Sequence, residues 1–132
     1  MKYLQDYIEA EQTELFNITG AFVAFSKKQY EEGAKEGIKY ASLGGGFICP
    51  DDNVLILIEG LYDIHERGIK KDITENGIHG IIERELDNHE YCSTRDIEDT
   101  VRALEEYKDI TEDMILATSR SKQYQDKIKK YR

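Results

Sequence analysis

GAFVAFSKKQYEEGAKEGIKYASLGGGFICPDDN, residues 20–53, is the stretch whose reading decides the fold. Ala21–Phe25 is short, apolar and aromatic, the composition of an interior strand. Ser26 then opens a helix: Gln29 three residues on completes a capping box, and Phe25 and Tyr30 occupy hydrophobic-staple positions. Gly33 and Gly37 bound that helix. Ile38–Leu43 and Phe47–Cys49 read as two strands joined in a tight hairpin through Gly44, Gly45 and Gly46. Pro50 ends the last strand, and Asp51 or Asp52 is placed to cap the next helix.

Working outward, the apolar run Val54–Ile58 fits a buried strand or a helix. The continuation Leu61, Tyr62, His65, Ile69 and Ile73 at spacings of three and four decides for a helix from Asp52 to near Glu75. Gly68 is an expected bend, and Asn76-Gly77 an expected stop. A second stripe, Ile78, Ile81, Ile82 and Leu86, ends near Asn88. Ser93 or Thr94 is expected to cap a helix carrying Ile97, Val101 and Leu104 inward, and Thr111 to cap the last one. Upstream, Leu4, Ile8, Leu15 and Ile18 share a side of a helix over residues 2–17, which Gly20 stops. The expectation is a single α+β domain over residues 1–132: a small sheet of about three strands packed against a mostly α-helical body, with residues 117–132 a basic C-terminal helix or tail.

The chain carries a net charge of −9, unevenly spread. Arg120, Lys122, Lys127, Lys129, Lys130 and Arg132 face one acid, Asp126, in residues 117–132, so that end is +5 and residues 1–116 are −14. An acidic body repels nucleic acid directly and favours basic protein surfaces. Val54–Ile58 is far too short to cross a bilayer, and MKYLQDYIEAEQ has no signal-peptide core, so the expected place is the cytoplasm. Cys49 and Cys92, without a CxxC or clustered histidines, read as reduced thiols.

Nothing in the chain spells a catalytic, metal or cofactor motif. His65-Glu66 and His89-Glu90 are adjacent pairs whose side chains diverge on a helix, and no second histidine occurs at the zinc-protease spacing. Cys49 ahead of a helix start, with His89 as base, would make a nucleophile; a small apolar residue at a strand end explains it as well. Gly44, Gly45 and Gly46 are a possible anion site of backbone amides, although the run leads into a strand and matches no phosphate-loop spacing.

Two surfaces stand out instead. Glu83, Glu85, Asp87, Glu90, Glu98 and Asp99 form an acidic run that is either a solvated face or an imitation of a phosphate array. Tyr124, Ile128 and Tyr131 make a thin apolar stripe on the basic end, with Lys127 and Lys130 beside it. That face is expected to dock on a partner or to build a homo-oligomer.

GAFVAFSKKQYEEG, KYASLGGGFICPDDN, LIEGL at residues 57–61, RELDNHEY at 84–91 and DIEDTVRALEEY at 96–107 resemble a group of small uncharacterised proteins encoded by bacteriophages and mobile elements of gut-type bacteria. The resemblance covers about residues 1–115, rests on caps, glycines and apolar positions, and carries no catalytic residues over. It implies a cofactor-free protein that binds a host protein, foremost a stoichiometric inhibitor of a bacterial defence system of the anti-CRISPR kind. The acidic helices would then occupy a basic nucleic-acid groove. The alternatives are a sponge for a small signalling nucleotide, held by Gly44–Gly46 and the tail cations, and a small enzyme using Cys49 or His89.

Overall fold

The structure is a computed structural model that describes residues 1–131; of Tyr131 it describes the backbone only. The chain runs α1 (Leu4–Thr19), β1 (Phe22–Val23), α2 (Lys27–Gly33), β2 (Tyr40–Ser42), β3 (Phe47–Pro50), a 3-10 turn (Asp51–Asn53), α3 (Val54–Asn88), α4 (Tyr91–Thr94), α5 (Glu98–Ala103), α6 (Glu112–Arg120), α7 (Lys122–Ile128) and a closing 3-10 turn (Lys129–Tyr131). Two compact units divide it: Tyr3–Gly68, and Met1–Lys2 together with the chain from Ile69 onward.

The first unit holds the sheet, antiparallel in the order β1-β3-β2. Phe22 lies opposite Ile48, and Ala41 opposite Cys49. The pleat therefore sends Cys49 and Phe47 to one face and Ile48 and Phe22 to the other. On the first face Cys49 and Ala21 pack with Leu57 of α3, flanked by Leu15 and Phe16 of α1. Phe47 meets the Phe16 ring edge-on at 5.7 Å. On the second face Phe22, Tyr30 of α2 and Tyr40 form a cluster of rings with centroids 5.6–6.2 Å apart. The expected small sheet packed against helices is thus present, with α3 on one face.

Its details depart from the expected bounds. The strand over Ala21–Phe25 shrinks to Phe22–Val23: its register sets Ala24 opposite Gly46, already in the positive-φ turn, and Gly20, at φ 79°, opposite Pro50, which has no N–H. Ser26 accepts the Gln29 amide at 3.2 Å as a cap should, but the Gln29 side chain takes the Phe25 amide, at 2.6 Å. Phe25 does not staple Tyr30; its ring lies over Gly46, where a Cβ would come within 2.6 Å of it. Asp51 and Asp52 do not cap α3 but form the 3-10 turn before it, which Asn53 ties to the Thr19 carbonyl at 2.9 Å. Gly77, with φ 73° and ψ 157°, is the non-helical residue inside α3, at the expected Asn76-Gly77 stop.

Gly60 and Gly68 let α3 approach α1 closely. A Cβ on Gly60 would meet the flexible end of the Leu15 side chain at 2.7 Å, whereas one on Gly68 would lie 2.4 Å from the Ile8 Cγ2 methyl, on a β-branched side chain that is itself buried. Alanine in a helix gains about 1 kcal/mol over glycine, and overpacking a core costs about 1–3 kcal/mol. Gly60→Ala is therefore expected to leave stability unchanged or raise it, and Gly68→Ala to lower it, by urea denaturation. Equal effects would show that α1 does not sit this close.

In the second unit α3 after Gly77 contributes Ile81, Ile82 and Leu86, α6 Ile115, and α7 Tyr124 and Ile128; all are at most 2% exposed. Ser93 and Thr94 do not cap a helix after them. They belong to α4, which Arg95 closes at φ 58°, and the Asp96 carboxylate receives the Glu98 amide at the start of α5. Thr111 caps α6 as expected, but Ser121 ends α6 and caps α7, so the last segment is two helices.

Candidate functional site

The acidic run is divided: Glu83 and Glu85 are withdrawn from water, whereas Asp87, Glu90, Glu98 and Asp99 stay at the surface. Glu85 is buried with Oε2 2.9 Å from Arg84 Nε. The Glu83 side chain is only 13% exposed and receives Lys127 Nζ at 2.9 Å. Asp87, at the surface, accepts the Tyr124 hydroxyl at 2.8 Å. Glu98 and Asp99 are solvated but share Arg102, at 2.7 and 3.6 Å. Glu90 is exposed, in a left-handed conformation at φ 58°. Most of the expected acidic face is thus paired with this chain's own cations.

The tail is corrected in the same way. Tyr124 and Ile128, expected to meet a second subunit, are each 1% exposed in the unit's own core, and Lys127 serves Glu83. Lys129 lies 3.6 Å from Asp126, and Lys130 is exposed. The Tyr131 side chain, the third member of that face, lies outside the described residues.

Gly44, Gly45 and Gly46 all have positive φ, of 85°, 59° and 82°. The run is the expected hairpin turn, closed by Phe47 N–H to Gly44 O at 3.1 Å. Cys49 is fully buried among apolar side chains, and burial pushes its thiol up, opposite to what a nucleophile requires. Among the described residues no group of three His, Cys, Asp or Glu side chains could hold a metal ion.

Sequence reasoning missed the most elaborate polar cluster. Asp72, fully buried before the Gly77 break, receives Arg84 Nη1 and Nη2 at 2.8 and 3.0 Å, the Tyr107 hydroxyl, and Asn76 Nδ2 at 2.7 Å. Arg84 also donates to the Lys2 carbonyl at 2.9 Å. Burial alone would raise the Asp72 carboxyl; hydrogen bonds from Arg84, Tyr107 and Asn76, with the Arg84 charge, outweigh it and hold the pKa below the ordinary value. Burial and the hydrogen bond to Asp72 push Tyr107 up. A buried, fully paired cluster of this kind ties the two sides of the Gly77 break together and holds Tyr107.

The missed surface is on the first turns of α3. Leu55, Ile56, Ile58 and Tyr62 are 72%, 54%, 50% and 55% exposed. Helical geometry puts Leu55, Ile58 and Tyr62 on one side, turned away from buried Leu57, Ile64 and Gly68. Asp51, Asp52, Glu59, Asp63 and Glu66 surround them, and the Tyr62 hydroxyl donates to Glu66 at 2.9 Å. The first cation along the helix, Arg67, is already paired with Glu11 at 2.9 Å. The five-residue apolar run was the available signal: a helix cannot turn five successive residues inward.

Residues 4–130 match the family of unknown function DUF7659. The chain belongs to that family. No curated protein and no solved structure matches the chain. Among the described residues, no helix is long and apolar enough to cross a membrane.

Proposed function

We propose that this member of the family acts in the host cytoplasm by binding another protein, as a stoichiometric inhibitor of a bacterial defence system, and not as an enzyme. The observation that carries the reading is the apolar stripe Leu55, Ile58 and Tyr62 with its acidic rim. Large apolar side chains grouped on a helix and half or more exposed are the composition of an interface core rather than of a solvated helix. The rim carries five acids against Arg67, so the complementary partner presents an apolar seat bordered by Lys and Arg. A protein that handles nucleic acid has such a border. The resemblance to phage-encoded proteins supplies the defence context, and the net charge of −9 argues against direct nucleic-acid binding.

The test pairs the wild type with Leu55→Glu/Ile58→Glu, two exposed positions where a charge leaves the fold intact. Expressed in a defence-proficient host, the wild type is expected to restore phage plating and to co-purify in equal stoichiometry with a basic nucleic-acid-processing protein. The double variant is expected to lose both, since central interface positions contribute about 2–4 kcal/mol each. Equal activity of the two proteins, or recovery of a small nucleotide instead of a protein partner, would overturn the reading.

A further inference from the structure

His79 and Glu83 stand one turn apart on the second arm of α3 and line a surface cleft of about 290 Å³, walled by Met114, Ala117 and Thr118 of α6 and Gln123 of α7. Glu83 is the centre of this site. Its side chain is withdrawn from water except for 13%, and its one hydrogen bond takes Lys127 Nζ to Oε1 at 2.9 Å. Among the described residues neither Glu83 Oε2 nor the His79 ring makes a hydrogen bond. Lys127 itself is 58% exposed, a point charge on a flexible stem that releases to water at little cost.

A carboxylate so placed has capacity for a second donor, and a planar guanidinium meets both oxygens at once. Its flat faces suit the imidazole of His79 and the thioether of Met114, whereas an ammonium offers one point of contact and no face. We infer that this cleft binds a guanidinium group, with Lys127 holding Glu83 in its absence. The cleft lies wholly in the unit from Ile69 onward, so the site stands independently of the α3 stripe. The guanidinium comes either from a free small molecule or from an arginine side chain of a protein segment.

The full chain is titrated with agmatine, with its diamine counterpart 1,4-diaminobutane, and with a short arginine-containing peptide and its lysine twin. Affinity is read by calorimetry and by the amide resonances of Thr118 and Gln123. The guanidinium ligands are expected to bind at least about tenfold tighter than the ammonium ligands, the difference between a two-point and a one-point contact. Lys127→Met is expected to tighten binding, and Glu83→Gln to abolish it. Should Glu83→Gln fail to fold, Ala117→Phe, at an exposed position on the cleft wall, is expected to block binding with the melting temperature unchanged. Binding of the peptide far above agmatine assigns the site to a protein segment, and equal binding to a small molecule. No resonance shift with any guanidinium ligand, lysine and arginine ligands binding alike, or binding unaffected by both Glu83→Gln and Ala117→Phe would overturn the inference.

Discussion

Asp72→Ala is expected to destabilise the protein by about 3–5 kcal/mol, because it leaves the Arg84 guanidinium buried without its main counter-ion. That is a large part of the about 5–15 kcal/mol that holds a typical domain together. Arg84→Met should cost a similar amount, through a stranded Asp72 carboxylate. Tyr107→Phe should cost less, about 0.5–1.5 kcal/mol, the net value of a hydrogen bond. Asp72→Leu combined with Arg84→Met, Tyr107→Phe and Glu85→Gln removes these polar groups together with the carboxylate that Arg84 also serves, and is expected to recover much of the loss. Urea unfolding monitored by circular dichroism measures each; a cost below about 1 kcal/mol for Asp72→Ala would mean that the cluster is not formed in solution.

The same cluster sets an acid limit. The folded-state pKa of Asp72 lies below its ordinary value of 3.8. Its contribution is therefore fully present above that value and is lost as pH falls through the depressed one. Stability of the wild type should drop below about pH 4 more steeply than that of Asp72→Asn.

The sheet was legible because glycine and proline mark its turns: Gly20, the Gly44–Gly46 hairpin and Pro50 fall where the chain reverses. Strand lengths were not, since a strand ends where the residue opposite turns away or lacks an N–H, as Gly46 and Pro50 do here. Five apolar residues, Ala21–Phe25, pair only at Phe22 and Val23. The Asp72 cluster joins residues 12 and 35 positions apart in sequence, a coincidence that no local pattern reports. One trace was there to be read: Asp72 continues the buried row Ile64, Gly68 at a spacing of four. An acid inside an apolar row signals a partnered buried charge.

The candidate site was less legible than the fold. Counting carboxylates along residues 83–99 gives charge density but not where cations from elsewhere in the chain land. Arg84, Arg102 and Lys127 take up four of the six acids singled out. The apolar thinness of the C-terminal segment misled for a related reason. Ser119 and Ser121 return their hydroxyls to the Leu116 and Thr118 carbonyls at 2.7 and 2.8 Å, so small polar residues line the interior side without an apolar signature.

Deleting residues from Ser119 onward is accordingly expected to unfold the unit that begins at Ile69, rather than to turn an oligomer into a well-folded monomer. The deletion removes Tyr124 and Ile128, each 1% exposed, and uncovers the core they fill. Large-to-small substitution at such positions costs about 2–5 kcal/mol apiece, so Tyr124→Ala and Ile128→Ala should each lower the melting temperature strongly. Tyr124→Phe keeps the ring against Tyr91, 6.0 Å away, and loses only the bond to Asp87, so it should fall well short of the alanine variant. Burial and the neighbouring Asp87 carboxylate push the Tyr124 hydroxyl above its ordinary value of 10.0, so the neutral form is the one the fold stabilises. That contribution is present below pH 10.0 and is lost as pH rises toward the raised folded-state value; Tyr124→Phe should flatten the alkaline limb. A truncated protein with wild-type dichroism and melting temperature would show that α7 contributes nothing to the core, and the expected docking role of the tail would have to be taken up again.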